Sequence, residues 1–137
     1  MLIDTNIFIE IARKQGRIEE CLDLMNVIKE GIINEDVYMT EFTLDALEAM
    51  ISRVSKDLLK EILLLIHQEK IKIFDTNIVD DLGILASMEA LGFDFDDCLQ
   101  YMATNKLGTC IVSFDKDFQE KGIEVKTPDE ILKSILK

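Results

Sequence analysis

Four aspartates stand where an α/β chain gathers ligands. Asp4 closes the opening run "MLID", Asp75 closes "KIKIFD", Asp115 closes "TCIVSFD", and Asp97 lies in the first helical turn of "FDFDDCLQ". Glu41 follows a further short run, "VYMT", while Asp94, Asp96 and Asp117 flank the later members. Carboxylates brought together repel and raise one another's pKa unless a cation compensates. Hard cations such as Mg²⁺ take oxygen ligands and keep several waters, so a few carboxylates in an open cup suffice. A cation held in this way activates water and stabilises charge at phosphorus. The competing reading is structural, because Asp and Asn cap helices and first-turn acids complement the helix dipole. For any one acid taken singly, capping or solvation is the commoner fate. Position alone does not separate Asp4 from Asp75, since each begins the same tetrapeptide, Asp-Thr-Asn-Ile.

Helices and strands must place these acids. "MLID" reads as a strand leading into a helix through "TNIFIEIARKQ", interrupted near Gly16. A second helix fits 17–31, with Ile18, Cys21, Leu22, Met25 and Ile28 at helical spacing. "VYMT" is a short strand, followed by helices over 42–53 and 56–68 that separate near Ser55. The second of these carries a wide apolar stripe of Leu58, Leu59, Ile62, Leu63 and Ile66. "KIKIF" is strand-like, 76–91 and 95–106 read as helices, and glycines 92 and 108 mark their ends. "TCIVSF" is the strongest strand, a continuous apolar run of the kind buried on both faces of a parallel sheet. After a helical turn at 115–120 and a small strand "IEVK", "TPDEILKSILK" opens with Thr127 as N-cap, Pro128 and a capping-box Glu130. This order predicts an α/β domain with a mostly parallel sheet, expected as one domain over 1–137.

Composition narrows the chemistry. Cys21, Cys98 and Cys110 are odd in number and share no Cys-x-x-Cys spacing, so reduced packing residues are expected. The single histidine, His67, ends an apolar helical stretch, and no Ser-His or Cys-His pair is evident. No apolar run reaches membrane-spanning length and the opening residues lack a secretory layout, so a cytoplasmic protein with no membrane association is expected. Fifteen Lys plus Arg against 27 Asp plus Glu give a net charge of −12, which argues against a broad phosphate-binding face. Basic residues that could serve RNA locally are Arg13, Lys14, Arg17, Arg53, Lys56 and Lys60, each equally suited to a solvated face.

"LIDTNIFIE" at the start and "FDFDDCLQYMATNKLGTCIVSFDKDF" some 90 residues on together resemble the PIN-domain family, in order and spacing over roughly 1–130. The resemblance implies a three-layer α/β/α sandwich around a short, mostly parallel sheet. It further implies a ribonuclease that holds Mg²⁺ or Mn²⁺ on acids, as in the toxins of toxin–antitoxin pairs. Carried over, the metal-binding acids are Asp4, Asp97, Asp115 and Asp117, with Asn6 orienting Asp4 and Ser113 supporting the last acid. Asp75 has no counterpart in that set and is expected to be a turn or cap residue. The family's glutamate after the second strand aligns with Ala46, leaving Glu41, Asp45 and Glu48 as neighbours. Glu48 lies about 200° around a helix from position 46, so Glu41, at the strand-to-helix turn, is the favoured catalytic substitute. The implied partners are an RNA substrate, a cognate antitoxin and a second copy of the chain, with helix 56–66 shared between core and interface. The alternative is a PIN-like fold with weak or absent catalysis that binds RNA or protein as a regulatory module, favoured by Ala46 and the acidic surface.

Overall fold

The computed structural model describes residues 1–136. Five strands, β1 (Leu2–Ile3), β2 (Tyr38–Thr40), β3 (Lys72–Phe74), β4 (Ile111–Val112) and β5 (Val125–Lys126), form one sheet in the order β3-β2-β1-β4-β5. Every neighbouring pair is parallel. Seven helices connect and cover them: α1 (Thr5–Ala12), α2 (Ile18–Lys29), α3 (Glu41–Ile51), α4 (Lys56–His67), α5 (Ile78–Leu91), α6 (Phe95–Leu107) and α7 (Pro128–Ile135). A 3₁₀ turn spans Lys116–Lys121. The expected α/β sandwich is the observed fold.

Alternation along the short strands divides the core. Ile3 and Val112 point to one face with Ile7, Phe8, Leu24, Leu47, Ile62 and Ile131, which come from α1, α2, α3, α4 and α7. Leu2, Ile111 and Val125 point to the other face, against Ala103 of α6 and Phe118 of the 3₁₀ turn. α5 joins that layer through Ile84, which packs with Cys98 and Leu99 of α6. The chain builds outward from β1 through β2 to β3, then crosses back to lay β4 on the opposite side of β1. That reversal puts a crevice beyond the carboxyl ends of β1 and β4, where parallel sheets bind ligands. The Ile3–Val112 register sets Asp4 beside Ser113, and Asp4 N–H donates to Val112 O at 3.0 Å.

Local signals behave as their chemistry requires. Thr127 accepts from Glu130 N–H and Glu130 reciprocates, with Pro128 in the first turn. Gly92 and Gly108 end α5 and α6 at φ 69° and 63°, where a side chain would be strained. Two expectations shift. Only Ile111–Val112 of "TCIVSF" pairs as strand. At one end Thr109 N–H closes the α6 terminus on Thr104 O, and at the other Ser113 Oγ accepts from Asp115 N–H. On α4 the buried positions are Ile62 and Leu65, while Leu63 is 38% exposed. Three consecutive leucines leave the stripe's centre undetermined by spacing. The three cysteines are free and buried, and no described helix is long and apolar enough to cross a membrane.

Candidate functional site

The two copies of Asp-Thr-Asn-Ile part company here. Asp4 takes the N-cap position of α1 but makes no capping hydrogen bond with its side chain. Its carboxylate, in a residue only 8% exposed, turns into the crevice. Ser113 Oγ donates to Asp4 Oδ2 at 2.6 Å and Gln100 Nε2 donates to Oδ1 at 3.2 Å. Burial pushes the Asp4 carboxyl above its usual range, opposed by the Ser113 bond, with nearby Asp115 pushing it further up. Asp75, by contrast, is exposed and accepts from the next residue's N–H at 2.9 Å, an ordinary turn bond. The difference is positional. β1 is the central strand, flanked on both sides, whereas β3 is an edge.

α6 brings further acids. Asp94 caps the helix by accepting from Asp97 N–H at 2.8 Å, which frees Asp96 and Asp97 from that duty. Asp97 lies three residues before Gln100 and is within the influence of Asp115, while its neighbour Asp96 is the acid of α6 that feels Asp4. Burial and the neighbouring Asp94, Asp96 and Asp115 carboxylates raise Asp97 to about 7. Asp96 rises to about 6 through burial, then through Asp4 and Asp94. Asp115, half-buried after β4, accepts from Asp117 N–H at 2.9 Å, and Asp117 itself is exposed. Asn6 Nδ2 donates to Ser113 Oγ at 3.1 Å. The structure therefore gathers Asp4, Asn6, Asp97, Ser113 and Asp115 in one place, with Asp117 at its margin.

Glu41 stands apart from this group. It is exposed, and its carboxyl is raised by a hydrogen bond with Asp75 and by the charges of Asp75 and Asp45. Ala46 is half-buried and Glu48 exposed. What α3 sends toward Asp4 is Thr43, fully buried. It contacts Thr5 Oγ1 at 2.9 Å, accepts from Gln100 Nε2 at 3.4 Å and shares a 3.0 Å bond with Thr40. Gln100 and Thr43 are not among the residues nominated from the sequence, and Asp96 is noted there only as a neighbour of Asp97. The available signal was the i, i+3 spacing of Gln100 from Asp97.

The donor set suits a hard cation in kind. Among the described residues, the buried side-chain polar atoms without a partner are Asn6 Oδ1, Asp96 Oδ1 and Gln100 Oε1. All three are oxygens, and all belong to side chains that surround Asp4. Buried acceptors without a donor are costly, and a cation or its waters would satisfy them. The seven ion pairs among the described residues leave Asp4, Asp96, Asp97 and Asp115 without a basic partner. The acids stand loosely, however: among the described residues no three Asp, Glu, His or Cys side chains are gathered closely enough to hold an ion as they stand. The guanidinium of Arg17 lies 4.0 Å from the centroid of the ring of Phe114, the residue between Ser113 and Asp115 in the chain, and is paired to Glu20 at 3.3 Å.

A family model described as PIN domain matches residues 1–124. Comparison with curated proteins gives no match.

Proposed function

The chain belongs to the PIN-domain family, whose members are generally nucleases that commonly use divalent metals, and on that premise we propose a metal-dependent ribonuclease that hydrolyses RNA phosphodiester bonds. The observation that carries the reading is a group of acids at the switch point of the sheet. Burial and neighbouring acids raise the carboxyls of Asp4, Asp96 and Asp97, and neither these three nor Asp115 has a basic partner among the described residues. Asp4, Asp97 and Asp115 would hold Mg²⁺ or Mn²⁺, with Asp117 at the edge of the set. Bound there, the cation supplies Lewis-acid charge beside the scissile phosphate.

The chain's own residues prepare that place. Ser113 and Gln100 each fix one oxygen of Asp4, so the carboxylate is held in one orientation before any ligand arrives. Asn6 donates to Ser113, whose own proton is thereby directed to Asp4. Arg17, steadied on Phe114, offers a positive group to the RNA backbone on the Asp115 side. No histidine lies among these residues, so proton movement falls to carboxylates and water. Glu41, set against Asp75, is a residue of the substrate's approach to the cup.

The finer assignment is a toxin-type ribonuclease with a cognate antitoxin, acting in the cytoplasm, and it rests on the sequence resemblance. Three free cysteines suit a reducing compartment. A homodimer is supported by an apolar face on α5, where Ile78, Val79, Leu82 and Leu85 are each at least 60% exposed. A regulatory module of weak activity is the competing reading, favoured by Ala46 and the loose spacing of the acids.

Thermal unfolding with Mn²⁺, paired with RNA cleavage, separates these readings. A ligand that binds only the folded state stabilises it by RT ln(1 + [L]/Kd), about 2.7 kcal/mol at a hundredfold excess over Kd. Mn²⁺ should raise the melting temperature of wild type and Asp75→Asn, but not of Asp4→Asn, and RNA should be cut by the first two only. Saturation without cleavage selects the regulatory module. Equal responses from all variants refute the metal assignment.

A further inference from the structure

Next to the Asp4 cluster lies a cleft of about 210 Å³ with a different lining. The carboxylate residues Glu41, Asp45, Asp75 and Asp81 and the aromatic residues Phe42 and Phe95 are among those that line it. Phe42 is 45% exposed and is the one exposed aromatic among the described residues. Its ring centroid is 6.2 Å from that of Phe95 at 46°, so neither ring covers the other's face. A phenylalanine left this open contributes little to the core. Its flat face is the kind of platform on which unpaired bases stack.

The charges decide which part of an RNA could enter. Phosphates are repelled by these carboxylates, so the backbone is excluded. Base edges differ among themselves. Cytosine N4 and adenine N6 present amino donors, and guanine presents N2, all of which carboxylates accept, whereas the uracil edge is mainly carbonyl. Location ties the cleft to the proposed chemistry. Phe42 precedes Thr43, which contacts Gln100 and Thr5, and Phe95 precedes Asp96 and Asp97.

We propose that this cleft is a nucleobase subsite, in which an unpaired amino-bearing base of single-stranded RNA stacks on Phe42 while the carboxylates of Glu41, Asp45 and Asp75 accept from its amino group. The inference rests on the ribonuclease reading and specifies the substrate: a flexible strand with adenine, cytosine or guanine beside the scissile phosphate. It also explains how a chain of net charge −12 selects RNA without a broad basic face.

The test is equilibrium fluorescence anisotropy with labelled hexaadenylate, hexacytidylate and hexauridylate in Mg²⁺ at low ionic strength, with RNA integrity checked on gels. Wild type should bind the adenylate and cytidylate more tightly than the uridylate. Phe42→Leu keeps the bulk but removes the π face, and should weaken adenylate binding by about 5- to 150-fold. Phe42→Tyr should retain wild-type affinity. Both variants should melt with wild type, since the ring is half in solvent. Asp75→Asn should narrow the preference for adenylate over uridylate. If wild type binds RNA and Phe42→Leu binds it equally, or uridylate binds as tightly as adenylate, the subsite is refuted and the ribonuclease reading stands. If wild type binds none of the three oligonucleotides, both fall.

Discussion

Asp97→Asn should make the metal-free protein more stable while abolishing its proposed activity. The carboxyl of Asp97 moves from 3.8 to about 7 on folding, owing to burial and then to Asp94, Asp96 and Asp115. A shift of roughly three units corresponds to about 4 kcal/mol at 1.36 kcal/mol per unit. Asp97 is only half-buried, and solvent screening reduces this to about 1–2 kcal/mol. Losing a first-turn negative charge costs about 0.3–1 kcal/mol of helix-dipole interaction. Asparagine retains a donor toward Asp94, as protonated aspartate would. The net gain above pH 7 is therefore about 1 kcal/mol, or about 3–5 °C in Tm for a chain of this size. The sign follows from proton counting. Between pH 4 and 7 the folded chain holds a proton at Asp97 that the unfolded chain has lost, so wild-type stability falls as pH rises through that window. Melting curves in EDTA from pH 4 to 8 should show the variant's advantage absent near pH 4 and complete above pH 7. Saturating Mn²⁺ should reverse the order. A variant that melts below wild type at pH 8, or an advantage independent of pH, refutes the reasoning.

Ser113→Ala removes the 2.6 Å bond to Asp4, the partner of Asn6 and the acceptor for Asp115 N–H. It should cost about 1.5–3 kcal/mol, seen as a urea midpoint lower by about 1 M. Leu47→Ala opens a cavity at a fully buried position on α3 and should cost about 2–5 kcal/mol in the same urea titration. Its RNA cleavage per folded molecule should stay at the wild-type level, because Leu47 touches the core rather than the acids.

Much of the fold is legible in the chain because local chemistry and final structure agree. The capping box at Thr127, the glycines after α5 and α6, and the apolar runs of β1 and β4 are each visible one element at a time. Asp4, Asp97 and Asp115 are legible as a set only through strand ends and family resemblance. Gln100 is legible only as a residue spaced i, i+3 from Asp97, which does not mark it as buried. A glutamine within a helix ordinarily reads as solvated, and it is buried here because α6 crosses the end of β1 and a carboxylate waits there. Thr43 is hidden for the same reason, its hydroxyl being drawn in by Thr5, Thr40 and Gln100. The identical tetrapeptides at Asp4 and Asp75 show the limit most plainly. Sheet order, a property of the whole chain, gives one a buried carboxylate and the other a turn.

The bonds that orient Asp4 span 96 residues to Gln100 and 109 to Ser113. They tie the central strand β1 to a helix and a strand end from far along the chain. Until β4 has emerged, β1 remains an open edge, Asp4 has neither of its donors, and Asp115 is not yet in reach. Synthesis itself therefore acts as a delay. On the ribonuclease reading, the acidic cup is completed only once β4 and the residues that follow it have been made.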